Sequence, residues 1–334
     1  MTALPASLGP LPRSEQRLLP ALIFVALALF GGSPVHAQDT APLRIVVPTP
    51  PGGTNDGVAR ALQNPLQRLL GKTVIVEYKA GAAGSLGSAY VARSKPDGNT
   101  LLLNNNAVLI NPLVSKSTGY DMRDLTPLAV AVVAPLVLIG NAAMPVNDTR
   151  SLVDFASKQA QPLAYASAGG VGSLGHMSME SFARAAGIKL LHVPYTGGGP
   201  AQMAVSSGEV KMVMTTLNAG LKGQVDAGRI RLLGVAAAKP SPLVPGVRPI
   251  GDVVPGFEID AWFGLLAPAQ TPAAVVQKIA AAVNQALEMP EVREQLLAIG
   301  VTPTYLGPDA FGKRVEQETQ RWADIVREQK LQKE

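Results

Sequence analysis

The chain has 334 residues, contains no cysteine, and carries a formal net charge of +5. The absence of cysteine excludes a disulfide framework, a lipid-bearing cysteine and a thiolate metal site. Its basic residues are scattered, and the longest run of like charge is the pair Lys313-Arg314. Because no aromatic residues are interleaved with these charges, the pattern favours a solvated surface over a nucleic-acid partner.

Residues 1–37 are predicted to be a signal peptide. Arg13 and Arg17 precede the apolar run Leu18–Phe30, which is shorter than the roughly 20 apolar residues that a membrane span needs. The segment Val35-His36-Ala37 places small residues where a signal peptidase reads them, so cleavage is expected after Ala37. A transmembrane anchor is the alternative. Export to the periplasm would leave a soluble chain of about 300 residues, enough for two domains.

Beyond residue 43, apolar runs alternate with segments of helical period. Strands are predicted at Leu43–Val47, Thr73–Tyr78, Thr100–Leu103, Leu136–Ile139, Leu163–Ala166, Lys189–Val193, Val210–Met214, Arg231–Ala236 and Phe263–Ala267. Helices are predicted at Asp56–Leu70, Leu86–Ser94, Ser151–Gln159, Ser173–Ala186, Pro200–Ser207, Ala219–Ala227, Pro272–Leu287, Pro290–Ile299 and Pro308–Gln329. This alternation predicts an α/β architecture with largely parallel sheets.

Two glycine-rich loops carry the main functional signal. The stretch 43–60 reads LRIVVPTPPGGTNDGVAR and joins a strand to a helix N-terminus, and 163–186, LAYASAGGVGSLGHMSMESFARAA, repeats the design. Each loop leaves backbone N–H groups unpaired at the positive end of a helix dipole, which makes a site for anions. Both loops follow the carboxyl ends of strands, where α/β sheets bind ligands. We therefore expect one cleft that holds a carboxylate-bearing small molecule.

The two loops are expected to belong to separate lobes. The chain is predicted to cross into the second lobe near Gly140-Asn141 and to return near Asp260–Trp262, after the proline-rich connection Lys239–Gly256. Lobe 1 is accordingly predicted as residues 38–140 plus 263–334, and lobe 2 as residues 141–262.

On these motifs the chain resembles the Bug receptors, the substrate-binding receptors of tripartite tricarboxylate transporters in Gram-negative bacteria. The resemblance runs from about Leu43 to Trp322 and also includes GAAGSLG at 81–87, PDGNTLLLNNN at 96–106, LHVPYTGGGPA at 191–201 and GLLAPAQTP at 264–272. It implies a two-lobed periplasmic binding protein of the Venus-flytrap, type II-like class. The ligand would be a dicarboxylate, tricarboxylate, acidic amino acid or aromatic carboxylate, held by backbone amides, hydroxyls and bridging waters. The partners would be the transporter's membrane subunits.

Three places depart from the usual pattern of that family. Thr49 stands where the first loop usually carries an aromatic residue, and Tyr78-Lys79-Ala80 replaces an Asn-Arg-Pro triplet. Thr196 replaces a lysine. These changes fall on the cleft or its rim, so they bear on the ligand more than on the fold.

The predicted ligand-binding residues lie in the two loops and in the turn that begins at Tyr195. They are Thr49, Pro51, Gly52, Gly53, Thr54, Asp56, Ser167, Ala168, Gly169, Gly170, Ser173, His176 and Tyr195. The glycines allow a close approach of the backbone to a ligand, or serve only to permit a turn. Asp56 would repel an anion, so shaping of the loop through local amides is favoured over ligand contact. His176 is equally suited to donate to the ligand and to hold the loop.

No catalytic residue, cofactor or metal site is predicted. Neither Ser85 nor Ser173 lies in a G-x-S-x-G elbow, and no glycine loop ends in Lys-Ser or Lys-Thr. His192 is interpreted as a core or hinge residue, and Trp262 as either cleft wall or core. Two histidines after processing are too few for a transition-metal site. A secreted α/β enzyme and a ligand sensor for a signalling partner are the alternatives to a monomeric transport receptor.

Overall fold

The structure is a computed structural model that describes residues 41–237, 239–329 and 331. The predicted signal peptide and its cleavage site after Ala37 lie outside the described residues. Ten strands of the described chain form one mixed sheet. They are β1 (Leu43–Val47), β2 (Val74–Tyr78), β3 (Thr100–Asn105), β4 (Leu125–Asn141), β5 (Leu163–Ala168), β6 (Leu190–Tyr195), β7 (Met212–Thr216), β8 (Ile230–Val235), β9 (Asp260–Pro268) and β10 (Thr302–Leu306).

Ten α-helices of the described chain connect and cover these strands. They are α1 (Thr54–Leu70), α2 (Ser85–Ala92), α3 (Ala107–Val114), α4 (Thr149–Ser157), α5 (Leu174–Ala185), α6 (Gly198–Ser207), α7 (Ala219–Asp226), α8 (Ala273–Glu288), α9 (Pro290–Ala298) and α10 (Pro308–Gln329). Within the described ranges, none of the helices combines the length and apolar character that crossing a membrane requires.

The α/β class is confirmed, but the sheet is mixed rather than mostly parallel. Eight strands follow the order β2-β1-β3-β9-β4-β7-β5-β6, and β8 and β10 also pair with β4. Parallel pairing occurs at the two ends, where β1 pairs with β2 and β3, and β5 pairs with β6 and β7. Every pairing that involves β4 or β9 is antiparallel.

Strand β4 joins the two halves of the sheet. Its residues Leu125–Pro135 pair with β9, and its residues Leu136–Asn141 pair with β7 and β8. The predicted strand, Leu136–Ile139, covers only part of β4, which also contains prolines at 127 and 135, unusual inside a strand. The register shift between Pro127 and Ala129 accommodates the first of them as a bulge. The predicted lobe boundaries fall within β4 and β9 and stay a prediction.

Two elements were not predicted, for different reasons. Helix α3 has the sequence AVLINPLV, which is apolar on most faces and therefore lacks the periodicity of a surface helix. Strand β10 contains Pro303 and pairs only with β4, with a register shift before Leu306. Both elements depend on neighbours that are distant in sequence.

The packing of Trp262 decides between its two interpretations, as a cleft-wall residue or a core residue. Its side chain is fully buried and packs edge-on against Phe311, with the ring centroids 4.9 Å apart. Its indole Nε1 donates a hydrogen bond to Oε2 of Glu318 at 2.9 Å. Trp262 is therefore a core residue whose polar atom is satisfied, and it does not line the cleft.

Candidate ligand-binding cleft

A cavity of about 660 Å³ lies where the carboxyl ends of six strands meet. Strands β1, β2 and β3 contribute their ends from one half of the sheet, and β5, β6 and β7 contribute theirs from the other. The lining consists of residues 48–50, 80–84, 104, 105, 107, 136, 168–171, 173–175, 194–196 and 214–216. The two glycine loops therefore share one cavity, at the strand ends where α/β sheets bind ligands.

The first loop is shaped by the carboxylate of Asp56. Its Oδ2 accepts a hydrogen bond from the Gly52 amide at 2.8 Å, and its Oδ1 accepts from the Tyr78 hydroxyl at 2.6 Å and from Arg60 Nε at 2.7 Å. Burial raises the pKa of Asp56, but these three hydrogen bonds and the Arg60 charge outweigh burial and hold the pKa below its usual value. The carboxylate thus folds the loop back onto α1.

Thr54 reaches the opposite half of the sheet. Its hydroxyl hydrogen-bonds the hydroxyl of Thr216 at 2.9 Å, and Thr216 lines the cavity at the end of β7. Gly53 is the N-cap of α1 with φ of −89°, an ordinary extended conformation. No atom lies within 4 Å of the position that a Cβ would take at Gly53. The glycine here faces open space and not the cavity wall.

The second loop is held in place by the buried side chain of His176. Gly169 and Gly170, with φ of +107° and +78°, adopt backbone that favours glycine, and both line the cavity. The Gly172 amide donates to Nδ1 of His176 at 3.3 Å, and the His176 amide donates to Oγ of the N-cap Ser173 at 3.3 Å. His176 is 5% exposed. Its role in this structure is to hold the loop.

A second imidazole supports the same loop. His192 lies against His176 with ring centroids 4.2 Å apart, and its Nε2 is 2.6 Å from Oγ of Ser167. Ser167 is completely buried. The hydroxyl of Ser167 therefore belongs to the packing beneath the loop, and the half-buried His192 supports it there.

A third loop, which follows β2, lines the cavity with strained backbone. The four successive residues Gly81, Ala82, Ala83 and Gly84 have φ of +142°, +47°, +55° and +93°. Alanine rarely adopts this region, which costs about 1–2 kcal/mol per residue, and such strain concentrates at functional sites. The side chain of Asn111 holds the loop by donating from Nδ2 to the Ala83 carbonyl at 2.9 Å.

The cavity includes only part of the predicted residue set. Thr49, Ala168, Gly169, Gly170, Ser173 and Tyr195 line it. The lining does not contain Pro51, Gly52, Gly53, Thr54, Asp56, Ser167 and His176. Ligand contact by these seven stays a prediction. In the first loop and α1, the Gly52 amide is bonded to Asp56 and the Thr54 hydroxyl to Thr216, and Ser167 and His176 lie beneath the second loop.

Several polar lining residues were not predicted. They are Asn104, Asn105, Thr215 and Thr216, whereas Thr196 was expected on the cleft or its rim and does line the cavity. The run Asn104-Asn105-Asn106 at the end of an apolar strand was a usable signal, since amides at a strand's carboxyl end are placed for binding. Asn105 also orders its own surroundings, because its Oδ1 accepts the Ala107 amide at 2.9 Å at the start of α3.

Thr49 has the one orphaned hydroxyl of the described cavity lining. Its Oγ1 is buried and has no hydrogen-bond partner among the described residues. The other orphaned side-chain atoms in the described part of the chain belong to residues outside the lining: Asn55, Ser178, Gln202 and Thr319. A buried polar atom without a partner is costly, but this one is closed to solvent from the cavity side, so the wall must shift before a ligand atom can reach it.

The substitutions relative to the family pattern fall into two groups. Lys79 turns away from the cavity, since its Nζ lies 2.8 Å from Glu77 and 4.0 Å from the centre of the Tyr90 ring. Tyr78 supports Asp56 as described above. Thr49, Ala80 and Thr196 line the cavity, so these three bear directly on the ligand.

The described lining is made of uncharged residues. No residue of the described lining carries a charged side chain or an imidazole, so an acid–base pair is missing there. The residues that the structure describes contain no group of three or more His, Cys, Asp or Glu placed to hold a metal ion. What the cavity offers is backbone N–H groups, hydroxyls, amides and apolar surface.

Comparison with known proteins gives one consistent family. The profile described as tripartite tricarboxylate transporter family receptor matches residues 58–331. Three solved structures are similar to the chain at 29–30% identity. The periplasmic binding protein BugD has a TM-score of 0.80, with 88% of this chain and 99% of BugD covered.

Two of these similar structures contain ligands. The R. palustris protein Rpa4515, solved with adipate, is 30% identical with a TM-score of 0.81, and the match covers 87% of this chain and 98% of that one. MatC from Rhodopseudomonas palustris, solved with bound malate, is 29% identical with a TM-score of 0.77 over 85% and 98% of the two chains.

Proposed function

This chain belongs to the tripartite tricarboxylate transporter receptor family, and from that premise we propose that it captures a small carboxylate in the cavity for a transporter of that type. Members of this family are periplasmic solute-binding receptors and not enzymes, so the chain is a receptor. The candidate ligands are a dicarboxylate, a tricarboxylate, an acidic amino acid and an aromatic carboxylate. Ligands of the first kind occupy two similar proteins, which were solved with adipate and malate.

The observation that carries the proposal is the convergence of neutral donors on one cavity. Loops after β1, β2 and β5 each lead into a helix N-terminus, and each contributes to the lining. Backbone amides at helix N-termini stabilise anions, and charge-assisted hydrogen bonds are roughly twice as strong as neutral ones. The orphaned hydroxyl of Thr49, which is closed to solvent, would add a donor once the wall shifts on ligand capture.

Capture is proposed to involve closure of two lobes, residues 38–140 plus 263–334 and residues 141–262. The cavity draws its lining from both ranges, and the hydrogen bond between Thr54 and Thr216 joins them directly. A ligand that contacts both ranges favours the closed form by its differential affinity for that form. The closed receptor would then present the ligand to the membrane subunits as a monomer.

Periplasmic location is proposed because the receptors of this family are periplasmic. A signal peptide would be cleaved after Ala37. Protein recovered from the periplasm should have the intact mass of a chain that begins at Gln38. Recovery of the full-length chain from the inner membrane would contradict this.

Transport competes with one other use of the same receptor. A sensor would hand its ligand to a signalling partner, and the cavity would be identical in both cases. The two are separated by co-purification: the ligand-loaded receptor should be retained by transporter membrane subunits, whereas retention by a sensor kinase alone would favour signalling.

The test of carboxylate binding uses two matched threonine variants. Thr49→Val removes the orphaned hydroxyl in the cavity, and Thr319→Val removes an orphaned hydroxyl in α10, outside it. Protein is unfolded and refolded to remove retained ligand, and titration calorimetry is then performed with adipate, malate, citrate, glutamate and benzoate.

At least one of these carboxylates should bind and raise the melting temperature by a few degrees at about 100 times its Kd. Thr49→Val should weaken that binding at least fivefold, and Thr319→Val should leave it unchanged. Failure of all five to bind the native protein would refute the proposal. Equal effects of the two variants would remove Thr49 from the site.

A further inference from the structure

We propose that a groove beside helix α2 is the docking site for an acidic segment of a partner protein, one that also carries large apolar side chains. The groove has a volume of about 720 Å³ and lies between α2 and the starts of β1 and β3. We call it the basic groove and define it by six of its lining residues: Arg44, Leu86, Tyr90, Arg93, Lys95 and Asp97. Among the described residues its lining shares none with the cavity, so docking there goes beyond the proposed function.

Helix α2 leaves an apolar stripe uncovered along the basic groove. Leu86 and Tyr90 are one helical turn apart and are 57% and 40% exposed, whereas Gly87, Ser88 and Val91 on the other faces of the helix are buried. In the described part of the chain seven large apolar side chains are exposed, and two of them stand together here. Scattered apolar side chains on a surface need no explanation, whereas adjacent ones with a polar rim mark an interaction site.

The lining of the basic groove has an excess of positive charge. Arg44, Arg93 and Lys95 are all exposed, and among the described lining residues the carboxylate of Asp97 is the one acid that opposes them. That carboxylate is engaged in its own loop, where Oδ1 accepts a hydrogen bond from the Asn99 amide at 2.8 Å. An acidic segment therefore meets a complementary surface, which speeds association and disfavours basic partners.

The contacts of the described residues neutralise these cations only in part. Glu77 lies 3.5 Å from Arg44 and 2.8 Å from Lys79, so one carboxylate faces two positive charges. Arg93 donates from Nη2 to the Gly119 carbonyl at 2.8 Å, a neutral acceptor that holds the guanidinium in place and leaves its charge uncompensated. Partner carboxylates would thus find cations that are already positioned for them.

A peptide segment suits the basic groove better than a membrane or a second copy of this chain. The headgroups of a bilayer form a broad surface, which reaches only the rim of a concave site, whereas an extended or helical segment can lie within it. Two copies that met groove to groove would bring the same cations together, which costs binding energy. The shape and the charge of the groove therefore favour the same occupant.

The basic groove adjoins the cavity through one contact of α2. The strained loop Gly81–Gly84 lines the cavity and leads directly into α2. Leu86 lies against this loop, because a Cβ built on Gly81 would be 3.4 Å from Cδ2 of Leu86, and the Leu86 amide donates to the Gly81 carbonyl at 3.5 Å. A segment seated on Leu86 would touch a side chain that itself packs on the cavity wall.

The probe is a phage-displayed library of random 12-residue peptides, selected on the purified native protein. Selected peptides should combine several Asp or Glu residues with Leu, Phe or Trp. Synthetic fluorescent copies of them are then titrated against the native protein and its variants by fluorescence polarisation. Each variant is compared with the native protein in its melting temperature, which should be unchanged.

Three variants change the basic groove at exposed positions, Leu86→Ser, Tyr90→Ser and Lys95→Glu. Two matched controls lie outside it. Leu297→Ser removes an apolar side chain that is 47% exposed on α9, and Lys189→Glu reverses the charge of an exposed lysine. Every selected peptide is also synthesised with its acids replaced by the corresponding amides.

Each groove variant should raise the Kd of the selected peptides at least tenfold, and the controls should leave it unchanged. The amide peptides should bind at least tenfold more weakly to the native protein, and Lys95→Glu should affect them little. Selection of no acidic peptide, or peptides that bind the groove variants as tightly as the native protein, would overturn the proposal.

Two further measurements test the other occupants of the basic groove. A native dimer that the groove variants dissociate in size-exclusion chromatography would assign the groove to a second copy. Native protein that binds phosphatidylglycerol vesicles, with binding lost in the same variants, would assign it to a membrane. Either result would overturn the proposal. Carboxylate binding in the cavity is measured separately by calorimetry of the native protein, so each of the two proposals can fail alone.

Discussion

The hydroxyl of Thr54 lies 2.9 Å from the hydroxyl of Thr216, so that the start of α1 is joined to the end of β7 across 162 positions of the sequence. Each threonine also stands beside the cavity wall, Thr54 just after the first loop and Thr216 within the lining. A contact of this kind exists only while the two sides of the cavity are close together. It would therefore report on the proposed closure.

Removal of this hydrogen bond should weaken ligand binding. Thr54→Val and Thr216→Val are each expected to raise the Kd of the bound carboxylate about fivefold, since a neutral hydrogen bond contributes about 1 kcal/mol. The double variant should lose no more than the larger single loss, because both changes remove the same bond. Titration calorimetry of the four proteins measures this.

Thr304→Val serves as the control, because its exposed hydroxyl bonds only the Thr302 carbonyl in β10. If the losses of binding free energy in the two single variants add in the double variant, the threonines act independently of each other.

The acid sensitivity of the protein should depend on Asp56. Its folded pKa is depressed, because hydrogen bonds from Tyr78, Gly52 and Arg60 outweigh the effect of burial. A carboxyl of this kind contributes stability above its unfolded pKa of about 3.9, and that contribution is lost as the pH falls through the folded value. Asp56→Asn should therefore lower the free energy of unfolding at pH 7 by about 1–3 kcal/mol.

The measurement is urea unfolding of both proteins at pH 7 and at pH 3. The difference between them should shrink at pH 3, where the native carboxyl is losing its charge. Asp226→Asn is the control, since its exposed ion pair with Lys222 is worth at most about 1 kcal/mol. A difference that is as large at pH 3 as at pH 7 would mean that the charge of Asp56 is not what stabilises the loop.

The strained alanines of the third loop should affect affinity and stability in opposite directions. Ala82→Gly with Ala83→Gly relieves the left-handed backbone, so the unliganded protein should be as stable or up to about 1 kcal/mol more stable. Its affinity for the carboxylate should fall severalfold, because a glycine loop loses more conformational freedom when a ligand orders it. Chemical unfolding and calorimetry give the two quantities.

Gln270→Gly is the matched control for this pair. Gln270 has φ of +67° and lies outside the lining, so glycine there should relieve strain without changing affinity. Affinity that is unchanged in the double glycine variant would assign the strain to folding and not to binding.

The local pattern of the chain was sufficient to place the elements around the site. The run LRIVV, followed by two prolines and two glycines, predicted β1, the loop and α1 with nearly correct limits. The same reasoning located β5, its glycine loop and α5. Strand and helix periodicities are local properties. A loop between a strand end and a helix start has unpaired backbone amides whatever path the chain takes beyond the helix.

The side of the first loop that faces the cavity was not determined locally. The pattern pointed to Thr49, Pro51, Gly52, Gly53 and Thr54, whereas only Thr49 of these lines the cavity, together with Pro50. The difference arises from Asp56, which binds the Gly52 amide and is itself held by Tyr78 from β2. A hydrogen bond between α1 and a neighbouring strand has no signature in either segment taken alone.

The sequence by itself determined the α/β class, both glycine-rich loops and the family, because these depend on periodicity, glycine placement and long motifs in order. Only the tertiary structure decided that β4 runs through both halves of the sheet and that Asn105 and Thr216 meet Thr49 around one cavity. The physical reason is the sequence separation between the residues that determine each feature. Burial patterns and turns are properties of neighbouring residues, whereas a binding surface is made from strand ends that the chain brings together over more than a hundred positions.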